Sequence, residues 1–241
     1  MQTKFFGLLL ASAVWFSCAP INSARPDLNS SNQESKKNAD YKWSHLQSIN
    51  DTIAHAEYLR EIERQVIIEI NLVRTDPSEY ARKYLVPMRS YYHNKLLQYP
   101  GEFAISTVEG RRALDDCIKE LQTYKSLLPL SPKNGLTLAA RDHAKDLATT
   151  GKTGHTGSDG STMVDRLNRY GRWKISIGEN IAYGHEDSRK IVTSLLIDDG
   201  VLSRGHRRNL LDETFKFVGV AVGRHRIYKC MCVINFAGAY N

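Results

Sequence analysis

Apolar positions recur at helical spacing from about His55 onward. In "EYLREIERQVIIEINLVRTDP", Ile62, Val66, Ile70 and Val73 share one face, widened by Ile67 and Leu72. Asp76-Pro77 predicts its end, because a residue before proline avoids the helical region. "PSEYARKYL" predicts a second short helix with Pro77 in its first turn. The stretch from Val86 to Gly110 is irregular and tyrosine-rich. "GRRALDDCIKELQTYKSL" reads as a helix and "LPLSPKNGL" as a turn. "LTLAARDHAKDLATTG" reads as a helix closed by Gly151. "STMVDRLNRYG" predicts a short helix with Ser161 as cap, and "SIGENIAYG" a short strand. "EDSRKIVTSLLIDD" is helical, burying Ile191, Val192, Leu195 and Leu196. The alternating "FKFVGVAVG" and "IYKCMCVINFAG", joined by "RHR", predict an antiparallel hairpin. Helices that precede and interleave with a small late sheet give an α+β order in packed layers.

The first 54 residues differ in character. Lys4, an apolar run from Phe5 to Phe16, then Ser17 and Cys18 read as a secretory signal (1–18), too short to span a bilayer. Cys18 after Ser17 resembles a bacterial lipoprotein box, with Trp15 and Phe16 at unusual positions for one. A lipidated Cys18 would tether the chain to a membrane surface; cleavage after Ala19 or Ala24 is the alternative. Residues 19–54 are polar and read as a disordered tether. The domain proper is expected over 55–241.

Of 241 residues, 41% are hydrophobic and 24% charged, as in a soluble globule, and the net charge of +7 favours anionic partners. No nucleic-acid-binding signature accompanies that charge, so no nucleic-acid partner is expected. Cys117, Cys230 and Cys232 admit one disulfide from Cys117 to either strand cysteine, or three buried thiols.

The loop "TGHTGSDGS" invites a serine-hydrolase reading, but Ser158 and Ser161 lack a Gly-x-Ser-x-Gly elbow. Turn chemistry explains the loop better: glycines supply positive φ, and Asp159 and Ser161 bond nearby amides. Four motifs stand in order, "GHTGSDGS", "GENIAYG", "LLIDDGV" and "RGHRRNLL", followed by the hairpin. Together they resemble the CAP superfamily (cysteine-rich secretory, antigen 5, pathogenesis-related-1; SCP-like extracellular domains), in its bacterial type without the family's cysteine pattern. The resemblance covers about Glu57–Thr75 and Leu128 to the end, and makes about 88–125 an insertion.

The resemblance implies a three-layer α-β-α sandwich with a small antiparallel sheet, and a cavity of two histidines and two acids. His155 and His206 match the histidines, and Glu179 the first acid. At the fourth position Leu195 replaces a tryptophan and Asp198 a glutamate, with Asp199 the neighbouring alternative. Two neutral imidazoles suit zinc or another divalent metal, with His155 and His206 as ligands and carboxylates completing or orienting the shell. Each residue also has a plain structural reading: a solvated turn for His155, an amide acceptor for Glu179, a packed helix start for His206, a solvated helix end for Asp198. Asn180 and Asn209 are expected to tie loops around the cleft. His143, His185 and His225 are expected at the surface. Arg204, Arg207 and Arg208 read as a solvated basic face, or as a rim for anions.

The expected function is an exported binding module, either a cell-surface or outer-membrane lipoprotein or a secreted protein. Its partner would be a lipid, sterol-like or other small molecule, or an envelope or host component. A metal-assisted hydrolase of peptide or envelope polymer, and a structural protein with a vestigial cavity, are the alternatives.

Overall fold

The computed structural model describes residues 47–241. The signal segment, Cys18 and the tether through residue 46 lie outside the described residues. The tether's expected end at 54 lies within packed structure: 47–54 form helix α1, and Ile49 and Ile53, one turn apart, are buried in the core.

The sheet is organised by period-two alternation. Strands β6 (Phe217–His225) and β7 (Lys229–Tyr240) form the expected hairpin, though its turn is 226–228 rather than "RHR". Val218, Val220 and Val222 pair with Phe236, Ile234 and Cys232, so all six face one way. They meet α1, α2 (Glu61–Thr75), α4 (Arg111–Thr123) and α7 (Ser188–Ile197) in the larger core. Ala221, Met231 and Val233 face the other way, onto Ala140, Ala144 and Leu147 of α5 (Asn134–Thr150). Two faces covered by helices make the three-layer α-β-α sandwich of the α+β class.

Gly219 sets the spacing of one interface. A Cβ there would lie 2.2 Å from the Leu136 carbonyl carbon and 2.3 Å from the Thr137 nitrogen, so only glycine lets α5 lie this close.

The sheet order is β4-β6-β7-β5. β5 (Trp173–Tyr183) is antiparallel to β7 and longer than the sequence pattern implied, with a register shift between Lys174 and Ile177 where Ile175 takes φ 76°. The expected turn "LPLSPKNGL" instead contains β4 (Ser131–Pro132), parallel to β6. Buried Asn71 on α2 holds its approach, donating to the Leu130 carbonyl at 3.0 Å and accepting from the Leu130 amide at 2.7 Å.

Asp76 caps α3 (Pro77–Tyr80) through the Glu79 amide. The chain then widens into a π turn, Ala81–Leu85, and tightens into a 3-10 segment, Val86–Tyr91. The segment expected as an insertion holds a three-stranded ribbon, β1 (Tyr92–His93), β2 (Leu96–Leu97) and β3 (Ile105–Ser106), followed by α4. Ala113, Leu114, Cys117, Ile118 and Leu121 of α4 are buried in the larger core. All three described cysteines are free and buried.

Candidate functional site

His155 sits on the loop after α5. Gly151 ends that helix in the left-handed region, and Gly154 takes φ 105°, which a side chain would strain. The loop closes on itself: Gly157 N–H donates to Ser161 O at 2.8 Å, and Ser161 N–H to Asp159 Oδ1 at 2.9 Å. The Ser161 bonds hold the Asp159 carboxyl down at about 2. Ser158 is anchored to Asp146 through its amide and hydroxyl. Thr162, not Ser161, caps the following helix α6 (Met163–Asn168), in a capping box with Asp165.

His143 corrects a second expectation. It is fully buried on α5, and its Nε2 lies 2.9 Å from the Gly154 carbonyl. A carbonyl only accepts, so Nε2 carries the proton. Burial pushes the imidazole's pKa below its ordinary value, with Arg166 acting in the same sense.

The His155 side chain is half exposed, and its Nδ1 lies 2.9 Å from Glu179 Oε1. Glu179 comes from β5, with its carboxylate only 2% exposed. Behind it stands Arg166 of α6, equally buried, with Nη2 at 3.1 and 2.9 Å from the two carboxylate oxygens. Arg166 also donates to the His155 carbonyl at 3.1 Å and to Ser161 O at 3.0 Å. Burial raises the Glu179 pKa, but the His155 hydrogen bond and the Arg166 charge outweigh it, and the carboxyl stays below its ordinary range. An ionised Glu179 makes His155 Nδ1 the donor, so Nε2 is the ring nitrogen turned away from the carboxylate. No sequence motif marks Arg166.

His206 is arranged alike from the other side. It lies in the first turn of α8 (Gly205–Leu210), and its Nδ1 is 2.7 Å from Asp198 Oδ1. The other Asp198 oxygen accepts the His206 amide at 2.9 Å and the Arg207 amide at 3.4 Å. Asp198 ends α7 in the left-handed region, where aspartate is tolerated better than most residues. Asp199 points elsewhere, accepting the Val108 and Glu109 amides at 2.6 and 2.8 Å. Asn180, next to Glu179, donates to the His206 carbonyl at 2.9 Å, and Asn209 donates to Asn180 Oδ1 at 2.8 Å.

His155, Glu179 and His206 line one open cleft of about 590 Å³, with Val201, Gly205, Arg208, Asn209 and Asp212. Asp198 stands behind His206, outside that lining. Among the described residues no group of three or more His, Cys, Asp or Glu is arranged to hold a metal. Both carboxylates are committed to imidazoles, amides or arginine. The set therefore fits a closed structural zinc site poorly. What it offers the cleft is two imidazoles with a carboxylate orienting each.

The surrounding charges differ from the expected basic face. Arg207 is fully buried, bonded to the Leu196 and Ile197 carbonyls and paired with Asp116 and Glu120. Arg204 pairs with Glu109, so only Arg208 stays exposed, at the cleft. His225 is also buried, its Nε2 2.9 Å from the Lys152 carbonyl, because the hairpin turn packs against the end of α5. His185 is half-buried.

Three similar solved structures are all bacterial. An extracellular SCP-domain protein of Bacillus anthracis is 30% identical, with a TM-score of 0.39 over 46% of this chain and 34% of its own length. An outer surface protein of Borrelia burgdorferi is 22% identical, with a TM-score of 0.40 over 46% of this chain and 78% of its own. A cysteine-rich secretory protein of Staphylococcus aureus is 19% identical, with a TM-score of 0.37 over 56% of this chain and 42% of its own. This chain thus spans about a third of the Bacillus protein. No curated protein matches it. The model of the cysteine-rich secretory protein family, CAP, matches residues 71–236, which include both histidines, both acids and most of the hairpin, and the chain belongs to that family.

Proposed function

We propose that this protein is an exported CAP-domain binding module whose cleft takes its ligand through Nε2 of His155 and His206. A divalent cation such as zinc is the species that suits this nitrogen pair best. The supporting observation is that each imidazole has its Nδ1 2.7–2.9 Å from a buried carboxylate oxygen while both rings line the same cleft. Carboxylates so placed fix the ring orientation and which nitrogen faces outward. Two protein nitrogens leave a cation open to further donors, which a bound partner or small molecule would supply. Export and membrane tethering at Cys18 are supported by Lys4, the apolar run and the cysteine that follows it.

Equilibrium dialysis of zinc against chelator-stripped protein tests the reading. Unchanged protein should bind about one zinc per chain, and His155→Ala and His206→Ala should each weaken binding by tenfold or more. Equal binding by both variants would refute the assignment.

A further inference from the structure

The loop presenting His206 is held in place from a region outside the family motifs. Residues 198–204 leave α7 and enter α8 through two non-glycine residues in the left-handed region, Asp198 (φ 55°) and Arg204 (φ 51°). Such conformations persist only where surrounding contacts over-determine them. The contacts here come largely from 108–120. Arg204 forms a two-pronged pair with Glu109, at 2.6 and 2.8 Å, and also donates to the Asp198 carbonyl at 2.9 Å. Glu109 accepts the Gly200 amide at 3.0 Å as well, and its own amide bonds Asp199. Its side chain is 6% exposed, and the Arg204 hydrogen bonds hold its carboxyl down at about 2. On α4, which follows Glu109, Asp116 and Glu120 take the buried Arg207, next to His206, at 3.1 and 2.6 Å.

We propose that Glu109 is a positioning residue for His206: by clamping Arg204 and Gly200 it fixes the 198–204 loop in the shape that brings Asp198 onto His206 Nδ1. Asp116 and Glu120 complete the clamp through Arg207. The inference rests on the cleft reading for the role of His206, but its test observes the imidazole directly and needs no ligand. His155 serves as the internal control, because Glu179 and Arg166 orient it instead.

The test is nitrogen-15 NMR of the histidine side chains at neutral pH. Unchanged protein should show both His155 and His206 as single tautomers with the proton on Nδ1. In Glu109→Ala, His206 should lose that signature and become a tautomer mixture while His155 keeps its own. Should the alanine variant not fold, Glu109→Gln, which retains one acceptor oxygen, is read in the same way. Arg112→Ala removes only an exposed 3.4 Å pair to Glu109 and should leave His206 unchanged. A folded Glu109 variant with His206 unaltered would overturn the proposal. So would His155 and His206 changing together, which would mark general loosening, or Arg112→Ala reproducing the effect.

Discussion

Removing one member of the Arg166–Glu179 pair should be among the costliest single changes in the domain. Both side chains are 2% exposed, and Arg166 Nη2 lies within 3.1 Å of both carboxylate oxygens. Breaking a buried pair leaves the other charge uncompensated, at about 3–5 kcal/mol. In Glu179→Ala, Arg166 keeps the Ser161 and His155 carbonyls, so about 3 kcal/mol is expected. In Arg166→Met, Glu179 keeps only His155, and a similar loss follows. Arg166→Met combined with Glu179→Ala removes both charges, so its cost should fall at least about 2 kcal/mol below the sum of the singles. Urea unfolding at pH 7 with a constant m-value reads these differences. The pH dependence adds a sign. The folded pKa of Glu179 is lowered, so the unfolded chain binds more protons below the ordinary value of 4.5. Its stabilisation is therefore present above that pH and lost as pH falls through the folded value, and the gap between unchanged protein and Glu179→Ala should narrow there. Single variants costing under about 1 kcal/mol, or additive within about 0.5 kcal/mol, would refute the reasoning.

Three further outcomes follow from the same geometry. His143 is held below its ordinary pKa of 6.5, so the unfolded chain binds the proton first and stability should fall as pH drops below about 6.5; melting curves from pH 7.5 to 5 should show that slope flattened in His143→Gln, which keeps a donor for Gly154. Gly219→Ala drives a methyl into the α5 backbone and should cost about 3 kcal/mol by urea unfolding; a neutral effect would contradict the close helix–sheet approach. Asp198→Asn should be milder than Asp198→Ala by about 1 kcal/mol in the same assay, because asparagine tolerates the left-handed region and keeps an acceptor for His206.

Much of this arrangement could be read from the chain where the signal is local. The alternation of Val218, Val220, Val222 and of Cys230, Cys232, Ile234, Phe236 marks a two-faced hairpin, and each cavity residue sits in a short motif that names it. What escaped depends on distant partners. Arg166 lies on a six-residue helix and carries no pattern of its own; its partner is thirteen positions away on a strand. The rule that a buried cation must be paired applies only once burial is known. The basic neighbours of Arg207 suggest a solvated face or a rim for anions, yet its acids come from α4, about ninety residues earlier. His143 and His225 looked peripheral because the carbonyls they serve, Gly154 and Lys152, belong to the loop joining α5 to α6. Ile49 and Ile53 stand in a polar stretch whose composition hid a packed turn of helix.

Two carboxylate-backed imidazoles are proposed to share one ligand in the cleft. Crystals of chelator-stripped protein soaked in zinc, with anomalous data collected on both sides of the zinc edge, test it most directly. One strong peak is expected within about 2.0–2.1 Å of Nε2 on both His155 and His206, lost in His206→Ala. A peak on one histidine alone, a peak elsewhere, or an empty cleft at saturating zinc would contradict it.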